Sequence, residues 1–238
     1  MTTAAIVPAA GRGERLGPGL PKALRALGGA PLVVHAVRAL ARSRHISLVV
    51  VASPVDEVAE VRALLTGHHA GAELVVVAGG DSRQESVRLA LAALPADVDV
   101  VLVHDAARPL TPVELIDAVA AAVGDGADAV VPALPIADTV KRVEGEIVVE
   151  TVDRTSLRAV QTPQGFRRSV LDAAHRAAAG IGTVDGPAES TDDAGLIEHL
   201  GGTVQVIPGA EDAFKVTRPL DLVLAEAVLV QRRTDGVR

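Results

Sequence analysis

Short apolar, β-branched runs recur along this 238-residue chain at Ala5–Pro8, Leu48–Ala52, Leu74–Val77, Val100–Val103, Ala129–Pro132 and Val204–Ile207. Most are separated by segments of helical length and amphipathic spacing, near 31–42, 55–66, 83–94, 112–123, 168–179, 191–200 and 218–232. Strands that read as continuous apolar runs are buried on both faces, and alternation with helices makes them parallel neighbours. The expected fold is therefore α/β, a mostly parallel sheet covered by helices on both sides, with ligands at the carboxyl ends of the strands. The length suits one large domain over residues 1–238, and no internal repeat or Ser/Gly linker divides it.

One segment, about 137–154, breaks the alternation. From Asp138 to Thr151 it presents two alternating polar and apolar arms around Glu144-Gly145-Glu146, the signature of an inserted β-hairpin. An isolated hairpin is marginal in water, so it is expected to pack on something. A partner subunit is the economical candidate, and its own domain is the alternative.

The first apolar run opens into Pro8-Ala9-Ala10-Gly11-Arg12-Gly13-Glu14-Arg15-Leu16, followed by Pro21-Lys22. Glycines let backbone N–H groups approach anionic oxygens, while Arg15 and Lys22 add positive charge where a phosphoryl group transfers. The loop reads as a nucleoside triphosphate site. It is not a dinucleotide fingerprint, because Leu16 stands where the third glycine belongs and the next strand ends Val51-Ala52-Ser53-Pro54 without the ribose-binding acid. It is not a Walker A loop either, since Lys22 lies between Pro21 and Ala23.

Composition narrows the partners. A formal net charge of −7 argues against a nucleic-acid polymer, though small phosphorylated ligands need only a local cluster of cations. With no cysteine there is no disulfide, thiolate metal site or cysteine nucleophile. No apolar run reaches membrane-spanning length and no basic leader precedes the first strand, so a cytoplasmic protein without a membrane partner is expected. Phe166 and Phe214 are the only aromatic residues besides seven histidines. A nucleobase must then be read by backbone and small polar groups rather than an aromatic platform.

Further polar motifs stand at predicted strand ends. Gly79-Gly80-Asp81-Ser82-Arg83-Gln84-Glu85-Ser86 lets a ligand plane lie on the backbone, with Asp81 and Ser86 able to read an amino-bearing base edge; a helix N-cap at Asp81 or Ser82 accounts for the same residues. In His104-Asp105-Ala106-Ala107-Arg108-Pro109, Asp105 is a candidate for a ligand hydroxyl or a magnesium-bound water and Arg108 for a phosphate, unless the two close a turn. His104 reads as a packed histidine rather than a base. Ser190-Thr191-Asp192-Asp193 is a good helix start. Lys215, between Phe214 and Val216, needs a reason to be in an apolar stretch.

Taken in order, Pro8-Ala9-Ala10-Gly11 with Gly13, Arg15-Leu16 and Pro21-Lys22, then Ala78-Gly79-Gly80 with Arg83 and Ser86-Val87, His104 to Pro109, Asp138-Thr139 with Lys141, Thr162-Pro163-Gln164, Thr191-Asp192-Asp193 and Phe214-Lys215-Val216-Thr217 closely resemble the 2-C-methyl-D-erythritol 4-phosphate cytidylyltransferases of the non-mevalonate isoprenoid pathway. The resemblance spans about residues 4–230. It implies a single Rossmann-like nucleotidyltransferase domain, a homodimer joined through the hairpin arm, and Mg2+-dependent transfer of a cytidylyl group from CTP to a polyol phosphate, with release of pyrophosphate. Arg15 and Lys22 match positions that stabilise the α-phosphate in the transition state. Pro8, Ala9, Ala10, Gly11, Gly13, Gly80, Asp81 and Ser86 fall at the CTP-binding motifs. Arg154 and Lys215 match residues that position the sugar phosphate, with Asp105, Arg108, Thr139 and Thr191 around it, and Thr139 and Arg154 reach the neighbouring subunit's site. Magnesium is held mainly by CTP phosphates, with Asp105 the one side chain considered for it. Ribitol 5-phosphate cytidylyltransferase, which shares the nucleotide and the chemistry, is the alternative. The chain departs from the common pattern at Ala23-Leu24 and at Gly195.

Overall fold

The computed structural model describes residues 1–11, 21–69, 71–180 and 190–234. In chain order these form β1 (Thr2–Pro8), β2 (Ala26–Leu27), β3 (Ala30–Pro31), α1 (Leu32–Ala41), β4 (Ile46–Ser53), α2 (Val58–Leu65), β5 (Glu73–Ala78), α3 (Arg83–Ala92), β6 (Val98–Val103), α4 (Val113–Gly124), β7 (Ala129–Pro135), β8 (Val140–Glu144), β9 (Ile147–Val152), β10 (Arg158–Val160), β11 (Gln164–Arg167), α5 (Arg168–Gly180), α6 (Asp193–His199), β12 (Gln205–Pro208) and α7 (Pro219–Thr234). None of the described helices is long and apolar enough to cross a membrane.

The main sheet runs β10-β7-β11-β6-β1-β4-β5, with β12 also paired to β7. Strands β6, β1, β4 and β5 are mutually parallel, as the alternation with helices predicts. Alternate residues of β1 divide between two cores: Ala5 and Val7 join Val49, Leu102, Val37 and Ile116 in one cluster, while Ala4 and Ile6 join Val50, Val101, Val87 and Leu171 in the other. A period of two along the strand thus fills both faces, which is why the run is apolar throughout. The chain winds from β1 out through β4 to β5 and then returns to β6 on the other side of β1. That reversal opens a crevice beyond the carboxyl ends of β1 and β6.

Each predicted helix and parallel strand has a counterpart in the structure. The antiparallel strands β10 and β11 are additions, the latter pairing with both β6 and β7. At the Thr162-Pro163-Gln164 motif, a cis Thr162-Pro163 bond leads directly into β11. Phe166, fully buried on that strand, joins the second core. Strands β8 and β9 form the expected hairpin with Glu144 opposite Ile147, leaving Gly145 and Glu146 as a two-residue loop. Gly145 has φ +59° at the first loop position, the place a type II′ turn reserves for glycine. Among the described residues the hairpin pairs with no other strand, and it is largely exposed, Val143, Ile147, Val148 and Val149 included.

Candidate active site

The site grows from the way four parallel strands end together. Beyond β1, Ala9 N–H donates to Ala52 O at 2.7 Å; beyond β5, Gly79 N–H donates to Ser53 O at 2.7 Å; beyond β6, His104 N–H donates to Ile6 O at 2.8 Å. These bonds carry the ladder one residue past each strand and fix where the loops leave it. Between the loops lies a cleft of about 310 Å³, walled by Pro8–Gly11, Lys22-Ala23, Gly80–Arg83, Ser86, Asp105–Ala107, Lys215 and Thr217.

The Gly79-Gly80 loop is held from within. Ser86 Oγ accepts from Gly80 N–H at 3.1 Å and donates to Ser82 O at 2.8 Å, so this buried hydroxyl shapes the loop backbone. Ser82 caps α3 by accepting from Glu85 N–H, and Glu85 Oε2 accepts from Asp81 N–H, a reciprocal arrangement close to a capping box. The cap is therefore Ser82, and Asp81 is left exposed in the cleft wall. Gly79 is required by close approach: a Cβ there would stand 2.6 Å from Ala10 Cβ and 2.9 Å from Ser86 Oγ.

Charge is concentrated around Asp105. Its Oδ2 is 2.7 Å from Lys215 Nζ and its Oδ1 is 3.3 Å from Arg83 Nε, while Arg83 Nη1 reaches Asp193 Oδ2 at 2.7 Å. Burial by itself raises the Asp105 carboxyl, but Arg83 and Lys215 reverse this and hold it well below the ordinary carboxylate range. The ion pair is the reason a lysine stands between Phe214 and Val216. Thr217, beside it in the wall, donates both its N–H and its Oγ–H to Asp221 Oδ2 at 2.7 Å, tying the segment to the start of α7.

His104 is fully buried, and burial lowers its imidazole to about 4, so it is neutral near pH 7. Its Nδ1 lies 3.1 Å from Thr162 Oγ1, which accepts from Asp105 N–H at 3.0 Å. The histidine and Thr162 thus brace the Asp105 backbone, and His104 is a packed residue.

A family model described as 2-C-methyl-D-erythritol 4-phosphate cytidylyltransferase matches residues 3–231. The chain belongs to the 2-C-methyl-D-erythritol 4-phosphate cytidylyltransferase family. A protein of that name from Streptomyces avermitilis is 61% identical, the match covering 98% of this chain and 94% of that one. The crystal structure of such a cytidylyltransferase from Thermus thermophilus superposes with a TM-score of 0.75 at 37% identity, covering 96% of this chain and 98% of that one. The 4-diphosphocytidyl-2C-methyl-D-erythritol synthase of Anaerococcus prevotii gives a TM-score of 0.82 at 25% identity, covering 96% of both chains.

Among the residues that the cytidylyltransferase resemblance singles out, Pro8, Ala9, Ala10, Gly11, Lys22, Gly80, Asp81, Ser86, Asp105 and Lys215 all line the one cleft. Gly13 and Arg15 lie outside the described residues. Four others stand elsewhere. Arg108 is buried and donates to Ala213 O at 2.6 Å and Val160 O at 3.2 Å, clamping two segments beside β6 rather than lining the cleft. Thr139 and Thr191 are exposed, and Arg154 at the base of the hairpin donates to Ala137 O. The helix start foreseen at 190–193 is real: Asp192 caps α6 by accepting from Gly195 N–H at 3.0 Å. At Gly195, a Cβ would collide with the Ser190 hydroxyl.

The sequence gives Arg83 and Thr217 no role of their own, and Asp193 only that of a helix start. Arg83 and Thr217 fall inside quoted motifs, and a basic residue at the first position of a helix, where the dipole disfavours it, was the available signal. A divalent cation fits here only as a companion of the triphosphate. Both Asp105 oxygens are already engaged, and among the described residues no cluster of three or more His, Asp or Glu side chains is placed to hold one alone.

Proposed function

We propose that this chain, working as one domain with its hairpin arm, transfers the cytidylyl group of CTP to 2-C-methyl-D-erythritol 4-phosphate. Pyrophosphate leaves, and 4-diphosphocytidyl-2-C-methyl-D-erythritol forms. The observation that carries the reading is the cleft itself: backbone-rich loops together with Lys22 and with Arg83 and Lys215, the last two paired to Asp105, in a chain of this family.

A phosphate oxygen of the acceptor attacks the α-phosphorus of CTP while the bond from that phosphorus to the bridging oxygen of pyrophosphate breaks. The attacking group is already anionic, so no general base is required; alignment and charge neutralisation supply the rate. Lys22, with Arg15, opposes charge that builds on the α-phosphate. Lys215, with Arg154, positions the acceptor phosphate, Asp105, Thr139 and Thr191 complete its surroundings, and Arg108, held by the Ala213 and Val160 carbonyls, adds its charge through the field it exerts on Asp105. The loops at Pro8–Gly11, with Gly13, and at Gly80, Asp81 and Ser86 hold the cytidine. A magnesium ion held by the CTP phosphates would offset their negative charge.

The arm joins two copies into a homodimer, and Thr139 and Arg154 serve the partner's site. Four exposed aliphatic side chains on a hairpin that pairs with no other strand among the described residues support this, since such a surface gains by being covered. Cytoplasmic location belongs to the same reading, because CTP and the acceptor are charged solutes that do not cross a bilayer unaided.

Pyrophosphate release from CTP, with each acceptor supplied in turn, tests the proposal. Release with methylerythritol phosphate and little with ribitol 5-phosphate is expected. Faster release with ribitol 5-phosphate would transfer the assignment to that polyol.

A further inference from the structure

The cleft is not held by its own loops alone. Behind it, charge alternates from Asp193 to Lys215, with His175 hydrogen-bonded at the far end: His175 Nε2 lies 3.0 Å from Asp193 Oδ1, Asp193 Oδ2 lies 2.7 Å from Arg83 Nη1, Arg83 Nε lies 3.3 Å from Asp105 Oδ1, and Asp105 Oδ2 lies 2.7 Å from Lys215 Nζ. Asp193 does not touch the cleft and its side chain is 1% exposed. Burial raises its carboxyl, and hydrogen bonding from His175 together with the Arg83 charge more than reverses that, so Asp193 is held ionised. A charge so deeply buried is costly unless it is fully partnered.

The frame around Asp193 is rigid. It is the first residue of α6, and the turn before it is pinned from β11: Gln164 Nε2 donates to Asp192 Oδ2 at 2.7 Å, and Ala194 N–H donates to Gln164 Oε1 at 3.2 Å. Arg83 is at the first position of α3, on a different loop, and two carboxylates hold its fork, leaving Nη2 the nitrogen with no partner among the described residues. Without Asp193, the whole guanidinium charge would face Asp105, with nothing to hold its second nitrogen away. It would close on Asp105 as a bidentate pair and compete with Lys215 for the carboxylate.

We propose that Asp193 is a positioning residue for the transfer reaction: by anchoring Arg83 it keeps Asp105 available to Lys215, and so sets where the Lys215 ammonium stands. The proposal rests on Lys215 acting in the cleft, as argued above. Asp193→Asn removes the charge with almost no change in volume. Its expected effect is a fall in kcat of about 10- to 100-fold with smaller changes in KM, the scale that follows a displacement of about 1 Å at a reacting centre.

Loss of packing alone would lower activity whatever stood at residue 215, so a double-mutant cycle separates the two roles. In the Lys215→Met background, Asp193→Asn should cost no more than about threefold in kcat, because the group it positions is gone. An equal loss in both backgrounds overturns the inference, as does a folded Asp193→Asn enzyme with unchanged kcat beside an impaired Lys215→Met. Full turnover in Lys215→Met itself would instead remove the role given to Lys215, and the inference with it. Thermal unfolding of each variant establishes that it is folded. If Asp193→Asn does not fold, Arg83→Lys keeps the charge but cannot bridge two carboxylates, and the same cycle with Lys215→Met applies, with the same expected and contrary results.

Discussion

Lys22 opens a short 3-10 turn, Lys22–Leu24, whose Ala23 is buried in the first core, so its backbone is fixed while its side chain lines the cleft. A fixed ammonium facing charge that develops during transfer acts more on rate than on binding. Lys22→Ala should lower turnover by roughly two to three orders of magnitude while CTP affinity falls less, as steady-state kinetics and nucleotide titration would reveal. His104 makes a second residue-level claim, about stability. Its ordinary value is 6.5 and burial lowers it to about 4, so below pH 6.5 the unfolded chain takes up a proton that the folded chain refuses. The contribution is fully present above 6.5 and is lost as pH falls through 4, about 3 kcal/mol over that window. Urea midpoints between pH 7 and 4.5 should fall less steeply in His104→Asn, and parallel profiles would contradict the assignment. The pairing of these groups was not legible in the sequence. Asp105 and Arg108 sit three apart and suggest a turn closed by their side chains; the turn forms, with Arg108 N–H donating to Asp105 O at 2.9 Å, but the Asp105 carboxylate goes to Arg83 and Lys215, partners 22 and 110 positions away, and the Arg108 guanidinium to two carbonyls.

Periodicity carried the regular elements. The runs around Ile6, Val50, Val76 and Val101 are apolar, rich in β-branched residues and bounded by turn residues, and each became a parallel strand of the main sheet, because such runs can satisfy two apolar faces at once. By contrast β11, Gln164–Arg167, is four residues of mixed character with a glycine, and its one apolar anchor, Phe166, gives no period to read. The hairpin was legible for the opposite reason, since two β-branched arms flank the turn residues Glu144-Gly145-Glu146, and a register shift between Arg142 and Val143 absorbs the break in their alternation. What covers it belongs, on the proposed reading, to a second molecule. Mixing inactive Lys22→Ala protein with inactive Arg154→Ala protein should restore part of the activity, because one site in each hybrid dimer receives both intact residues. Proven subunit exchange without recovered activity would return Arg154 to its own subunit.

At the scale of the whole molecule, strand order determines where chemistry is possible. The reversal between β1 and β6 brings residues 8–11, 80–86, 105–107 and 215–217 to one edge although they are spread over most of the chain. The motif order made that convergence readable, but the brace behind it, from Asp193 through Arg83, was not, because buried ion pairs across layers leave no local pattern. With neither Trp nor Tyr in the chain, the cleft must tell bases apart by polar edges and close fit. Cytosine offers an amino donor where uracil offers a carbonyl, and leaving a buried acceptor unpaired costs enough for roughly 10²-fold discrimination. The most direct test is kcat/KM for CTP, UTP, ATP and GTP, measured by pyrophosphate release with methylerythritol phosphate as acceptor. CTP should exceed each of the others by about 10²-fold or more; comparable efficiency with UTP or ATP would contradict cytidylyl transfer as the activity of this cleft.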